Sequence, residues 1–245
     1  MKKYLFPKKL IEGVIKSRPN RFIMNVNING SVEKCHCPST GKISNIKFED
    51  IACLLSEADN LNRKTKFTVE AFSFDKITKK KKSWVGINQG KANAYVEFFL
   101  RTNQLDKIVV KIKEVKREVK LNNSRIDFLV NGNDYIDVKT LLKDIPCEGH
   151  SKSLGESKPL TSFDRLIKHF EDISKSITPT SKAILLMCFM YNAEKFKVPK
   201  VRKQEKRIIQ AAKKARKRGM ENWQINLKID SKGVELLDYF RLELF

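Results

Sequence analysis

The hydrophobic period of this chain changes once, near Trp84, and that change restricts the fold more than any other feature. Before it, apolar residues recur at every second position in short runs. Gly13–Ile15, Arg21–Ile28 and Phe67–Phe72 have this character, the second alternating from Phe22 to Ile28. Period-two runs bounded by turn residues form half-buried strands. Asn29-Gly30 favours the left-handed backbone of a tight hairpin, so Ser31–Cys37 is predicted to return as a strand. Pro38-Ser39-Thr40-Gly41 then stops it. The basic tip Lys76-Ile77-Thr78-Lys79-Lys80-Lys81-Lys82 follows the Phe67–Phe72 strand. Short strands with little helix predict a small barrel over roughly the first 80 residues.

After Trp84, Ala92, Tyr95, Val96, Phe99 and Leu100 recur at helical spacing, with Glu97 beside the stripe. Three strand-like runs follow, Lys107–Val115, Arg125–Val130 and Tyr135–Thr140, the last two joined by the hairpin residues Asn131-Gly132-Asn133-Asp134. A loop over 144–160 leads to a helix from Ser162, whose stripe is Phe163, Leu166, Ile167, Phe170 and Ile173. Ala183–Met190 is continuously apolar, the pattern of a central strand covered on both faces. A basic helix over Lys203–Arg218 ends at Gly219, and Trp223–Ile229 alternates as a last strand. Strands interleaved with helices indicate an α/β domain. The boundary falls between 1–83 and 84–245.

Charge narrows the function. Fifty Lys and Arg stand against 28 Asp and Glu, a formal net of +22. Such a field attracts polyanions, so nucleic acid is the expected partner. The basic helix sharpens this. Lys206, Arg207, Lys213, Lys214 and Lys217 surround a narrow stripe of Ile208, Ala212 and Ala215, suited to phosphate contact from a rigid element. No apolar run reaches the length of a membrane span, and the N-terminal residues lack a signal peptide's apolar stretch. A cytoplasmic protein is expected, with free thiols on its five cysteines. Cys35, His36 and Cys37 lack the second ligand pair of a zinc site.

The chemistry is expected on one hairpin. Asp127 lies on its first arm, Asp137 and Lys139 on its second, with position 127 expected to face roughly position 138. Residues two apart on a strand leave the same face, so Asp137 and Lys139 go together. Two carboxylates with an ammonium make a hard-oxygen site for Mg²⁺ or Mn²⁺, and Glu97 could add a third carboxylate. The pattern alone is ambiguous. Asp/Glu-Val-Lys also occurs at Glu114-Val115-Lys116 and Glu118-Val119-Lys120, where it reads as surface salt pairs. Only the third copy sits among the apolar neighbours Ile126, Phe128, Leu129, Ile136 and Val138.

These residues belong to a longer pattern. Arg21-Phe22, His36-Cys37-Pro38-Ser39-Thr40-Gly41, Asp59-Asn60 with Arg63-Lys64, and Val85-Gly86-Ile87-Asn88 come first. Ala92-Asn93, Glu97, Ser124-Arg125-Ile126-Asp127-Phe128, Tyr135-Ile136-Asp137-Val138-Lys139 and Arg165, Lys168, His169 complete it. The pattern resembles the sugar fermentation stimulation protein A (SfsA) family along nearly the whole chain. The resemblance implies a two-domain α+β fold, an N-terminal OB-fold-like β-barrel followed by an α/β PD-(D/E)xK nuclease-like domain. It implies DNA binding with little sequence preference, DNA being expected over RNA, and nuclease activity. Carried over, Glu97, Asp127, Asp137 and Lys139 match the nuclease motif, with Arg125 beside them. His36, Arg63, Lys64, Arg165, Lys168 and His169 join the expected nucleic-acid contacts. The chain departs from the family at Asp137, where Glu is usual, and at Leu166-Ile167, where Gly-Gln precedes Lys-His. A non-catalytic nucleic-acid-binding or regulatory protein on a degenerate nuclease fold is the alternative.

Overall fold

The fold was obtained as a computed structural model of the chain. It describes residues 1–39, 43, 46–60, 62–121, 124–140, 142, 145, 171, 172, 175, 178, 181–196 and 206–243. The described elements begin with β1 (Tyr4–Leu5), β2 (Ile11–Ser17), β3 (Ile23–Ile28), β4 (Ser31–His36), β5 (Ile51–Glu57), β6 (Phe67–Ser73) and β7 (Val85–Gly86). A 3-10 turn (Gln89–Lys91) leads into α1 (Ala92–Arg101), followed by β8 (Val115–Leu121), β9 (Ser124–Val130) and β10 (Asp134–Thr140). The last are β11 (Lys182–Phe189), α2 (Lys206–Lys217), β12 (Met220–Ile229) and β13 (Gly233–Leu242).

Strands β2 to β6 close a barrel. Their order is β4-β3-β2-β5-β6, and a parallel contact of β4 with β6, His36 against Thr68, completes the ring. This is OB topology, as expected. Asn29 and Gly30 both hold positive φ, 49° and 92°, which lets the β3–β4 hairpin turn tightly. The alternation of β3 reads directly as burial, with Met24, Val26 and Ile28 inside. Strand β5 escaped the periodicity reading. Ile51-Ala52-Cys53-Leu54-Leu55 is nearly all buried, so it carries no alternation to detect.

The second unit is a mixed sheet in the order β1-β13-β12-β11-β10-β9-β8. β11 runs parallel to both β10 and β12, and its apolar run is buried as a central strand requires. Its alternate residues feed two cores. Ile184, Leu186 and Cys188 join Tyr95, Val96 and Phe99 of α1, whereas Leu185 and Met187 join Ala212 and Ala215 of α2. Both cores also include barrel residues, such as Leu54 and Ala71 on one side and Phe72 on the other. α1 and α2 occupy the expected positions within the described residues; the expected helix from Ser162 lies almost wholly outside them.

Three expectations need correction. Lys107–Val115 is not a strand. Ile108 and Val109 are buried in turns closed by their N–H groups on the Leu105 carbonyl, and Lys111 takes φ 51°. The strand begins only at Val115, on the sheet edge, where exposed Lys and Arg discourage further pairing. Trp223–Ile229 is not last either. β13 pairs with it antiparallel, and its pairing skips Leu237 between Asp238 against Asn226 and Leu236 against Leu227, a bulge that breaks β13's own alternation and hides it from sequence. Finally, the hairpin pairs one residue tighter than expected. The ladder runs Val130 against Asp134 and Phe128 against Ile136 and stops there, and beyond it the Asp127 carboxylate takes the Val138 N–H. The cause is a three-residue loop, in which Asn131 and Gly132 take φ 51° and 78° and Asp134 is already strand.

Candidate active site

The β9–β10 ladder stops at Phe128 against Ile136, and the site forms where it stops. The Val138 N–H donates to Asp127 Oδ2 at 2.7 Å, so a side chain takes the place of a ladder partner. Asn93 Nδ2, from the first turn of α1, donates to Asp127 Oδ1 at 2.8 Å. Both carboxylate oxygens are thus oriented by donors on other elements. Asp137 Oδ2 lies 2.7 Å from Lys139 Nζ, the pair expected of alternate residues on one strand face. The parallel register sets Asp137 beside Leu185 and Lys139 beside Met187, on the sheet face that packs with α2.

Asp137 is only 3% exposed. Burial pushes its carboxyl up to about 6; the Lys139 ammonium opposes this, and the neighbouring Asp127 carboxylate adds to it. A carboxyl raised in the folded state favours folding below its unfolded pKa, and that contribution is lost as pH rises through about 6. Asp137→Asn removes an ionisation that the fold resists. It is expected to raise the melting temperature at pH 8 by roughly 5 °C. The gain should shrink towards pH 4, and thermal scans at both values check it. Equal melting temperatures at pH 8 would show that ionised Asp137 is fully compensated in its pocket.

The structure does not bring Glu97 to the two aspartates. Asn93 and Glu97 are one turn apart on α1, and Asn93 is the one that reaches Asp127. Glu97 instead pairs with Arg101 at 2.9 Å and with Arg117 of β8 at 3.4 Å. Among the described residues no group of three or more His, Cys, Asp or Glu gathers in a metal-holding arrangement. The donor set that the described residues supply is two carboxylates. Arg125 is exposed and pairs with Glu118. The other two Asp/Glu-Val-Lys copies touch or lie on the edge strand β8, with Lys116 paired to Glu114 at 3.2 Å.

One buried group was missed from sequence. Glu70 is 1% exposed and accepts from Ser56 Oγ at 2.5 Å, Lys91 Nζ at 2.7 Å and Asn88 Nδ2 at 2.9 Å. A buried carboxylate with this many donors is a satisfied network. It ties barrel strand β6 to the turn that starts α1, two residues before Asn93. The lone acid in Phe67-Thr68-Val69-Glu70-Ala71-Phe72 was the available signal.

The expected nucleic-acid contacts fall into two groups. Lys206, Lys213, Lys214 and Lys217 are exposed on α2, while Ala212 and Ala215 are buried against the sheet. His36 ends β4, and Arg63 and Lys64 are exposed on the β5–β6 connection. Burial lowers the His36 pKa, the Arg63 charge lowers it further, and a hydrogen bond to the Phe22 backbone opposes both. Arg165, Lys168 and His169 lie outside the described residues, as does the Arg207 side chain. Cys35, Cys37, Cys53 and Cys188 are buried free thiols, and burial pushes Cys35 up to about 12, far from a reactive thiolate. No helix among the described residues is long and apolar enough to cross a membrane.

Comparison with known proteins agrees with this architecture. Residues 17–87 match a family model described as the SfsA N-terminal OB domain, and residues 90–233 match one described as the sugar fermentation stimulation protein RE domain. A sugar fermentation stimulation protein homolog of Marinomonas sp. (strain MWYL1) is 30% identical over 240 residues, covering 95% of this chain and 87% of the relative. The homolog from Clostridium novyi (strain NT) is 27% identical over 226 residues, covering 90% and 92%. The fold also matches that of Pyrococcus furiosus SfsA, solved in complex with Ca²⁺, with a TM-score of 0.72 over the whole of both chains at 18% identity.

Proposed function

Because the chain belongs to the sugar fermentation stimulation protein (SfsA) family, we propose that it is a divalent-metal-dependent nuclease. The observation that carries this reading is the meeting of Asp127, Asp137 and Lys139 where the β9–β10 ladder opens. The strand hairpin, the carboxylates on its two arms and the lysine two residues on are the elements of a PD-(D/E)xK site.

The residues fit Mg²⁺ or Mn²⁺. All the charged donors are oxygens, and two carboxylates plus water satisfy a hard octahedral cation. Burial raises Asp137, and the adjacent Asp127 carboxylate adds to it, so two like charges stand together at this face. Asp127 and Asp137 would hold the ion, which when bound polarises the phosphate and acidifies water. The P. furiosus relative was solved with Ca²⁺, another oxygen-seeking divalent cation. Asn93 and the Val138 N–H keep Asp127 in one rotamer. Lys139 carries a fixed positive charge at the same face, suited to a developing phosphorane charge or to orienting the attacking water. The exposed lysines of α2 supply phosphate contacts on that face of the sheet.

The test is incubation with labelled single- and double-stranded DNA and RNA in Mg²⁺ or Mn²⁺. Cleavage that EDTA stops is expected. Affinity should fall steeply with salt, as counterion release requires at this charge. Since protons compete with metal for Asp137, activity at limiting metal is expected to fall as pH drops through about 6. A nucleic-acid binder without catalysis is the second reading, favoured by Leu166-Ile167 at the family's Gly-Gln position. Intact substrates under both metals, with binding preserved, would establish it.

A further inference from the structure

One exposed aromatic stands apart from the barrel's others. Phe72 is fully buried and Phe67, Phe74 and Trp84 are partly covered, whereas Phe22 is 43% exposed. Leaving a phenyl ring in water is unfavourable, yet the chain here is held firmly. Asn20 Oδ1 accepts from the Phe22 and Ile23 N–H groups at 2.9 and 3.0 Å. Arg18 Nη2 donates to the carbonyls of Arg21 at 3.2 Å and Ser39 at 2.9 Å. The Cys37 N–H donates to the Phe22 carbonyl at 2.7 Å. The ring is thus presented on a fixed backbone.

Its surroundings are cationic and polar. The Arg21 guanidinium lies over one face of the Phe22 ring, 4.6 Å from its centroid, so the opposite face is the one offered to a base. His36 is hydrogen-bonded to the Phe22 backbone and feels the charge of Arg63. Arg63 Nη1 in turn donates to Thr68 Oγ1 at 3.3 Å, and Thr68 is the register partner of His36. Phe22 lies between the first and second barrel strands, His36 at the end of the third, and Arg63 between the fourth and fifth. In OB barrels the second and third strands and these two loops are the oligonucleotide face.

We propose that Phe22 is a stacking platform for an unpaired base, with Arg21, Arg63 and His36 around it, so that the barrel selects single-stranded nucleic acid. This rests on the nucleic-acid reading above. A base in a duplex is already stacked on both faces and cannot reach the ring. An unpaired base can, and a cationic rim serves its phosphates.

The test uses the full chain in EDTA, so that binding is read without cleavage. The probes are a fluorescein-labelled oligo-dT and a duplex of equal length. Wild type, Phe22→Ala and Phe22→Trp are compared, with circular dichroism confirming the fold. Phe22→Ala is expected to weaken oligo-dT binding by roughly tenfold and to leave duplex binding nearly unchanged. Phe22→Trp should retain oligo-dT affinity, with its added fluorescence quenched by the stacked base. Equal oligo-dT affinity for Phe22→Ala and wild type, or an equal loss on both probes, overturns the stacking role and leaves the nuclease reading intact. Absence of binding to either probe by wild type overturns the nucleic-acid reading and this inference together.

Discussion

Asp127→Ala is expected to lower metal-dependent cleavage by roughly a thousand-fold, the rate equivalent of about 4 kcal/mol of lost transition-state stabilisation. The variant removes one of the two carboxylates that the described residues bring to the site, so the remaining Asp137 cannot hold a divalent cation with the same affinity. It also strands the Val138 N–H and frees the Asn93 amide, so some stability is lost with the activity. Asp127→Asn separates the two effects. It keeps an oxygen for the Val138 N–H but loses the charge, and its new NH2 group can donate to Asn93 once that amide turns its oxygen inward, so it should fold like wild type and be nearly as inactive. Single-turnover cleavage with either metal, alongside thermal scans, checks both statements. Full activity in Asp127→Asn would sink the metal-ligand assignment. Lys139→Ala adds a diagnostic that a structural role would not share. Lys139 holds the Asp137 pKa down, so its loss should move the acid limb of any residual activity above pH 6.

Gly86→Ala is expected to cost about 2–3 kcal/mol of stability and to lower the melting temperature by roughly 5–10 °C. Gly86 stands where the barrel meets the α/β sheet. Its N–H donates to the Met190 carbonyl at 2.9 Å, just past the end of β11. A Cβ there would lie 2.4 Å from Ile229 Cδ1, 2.6 Å from Met190 Cβ and 3.1 Å from the Met190 carbonyl oxygen. The isoleucine methyl can swing aside, but the Met190 backbone is fixed by the central strand. Gly90→Ala is the control. Among the described residues its Cβ would meet only Asn88 Oδ1, at 3.6 Å, so its melting temperature should stay within a few degrees of wild type. Similar behaviour of the two variants would mean that the junction is loosely packed.

Much of the architecture was legible where local patterning and burial agree. The alternation of β3, the Asn29-Gly30 turn, the apolar stripe of α1 and the unbroken run of β11 each became the predicted element, because each pattern has one burial solution. Legibility failed where burial erased alternation, as in β5, or where turns buried an apolar run, as at Ile108 and Val109. It failed again at β13, where the unpaired Leu237 breaks the strand's own alternation. The site was legible in part. Asp127, Asp137 and Lys139 were legible, but so were two similar tripeptides; apolar neighbours favoured the third copy, and the resemblance strengthened that choice.

By itself the sequence determined the barrel, the central strand, the basic surface and the residue types available for chemistry, since these depend on periodicity and charge. Tertiary structure decided which of them meet. A three-residue loop instead of four set the hairpin register, and the opened ladder turned Asp127 towards the Val138 N–H and Asn93. Helix phase sent Asn93 to the site and left Glu97 with Arg101 and Arg117. Such choices rest on register and phase, where one residue of shift moves a side chain to the other face, and no local pattern encodes them.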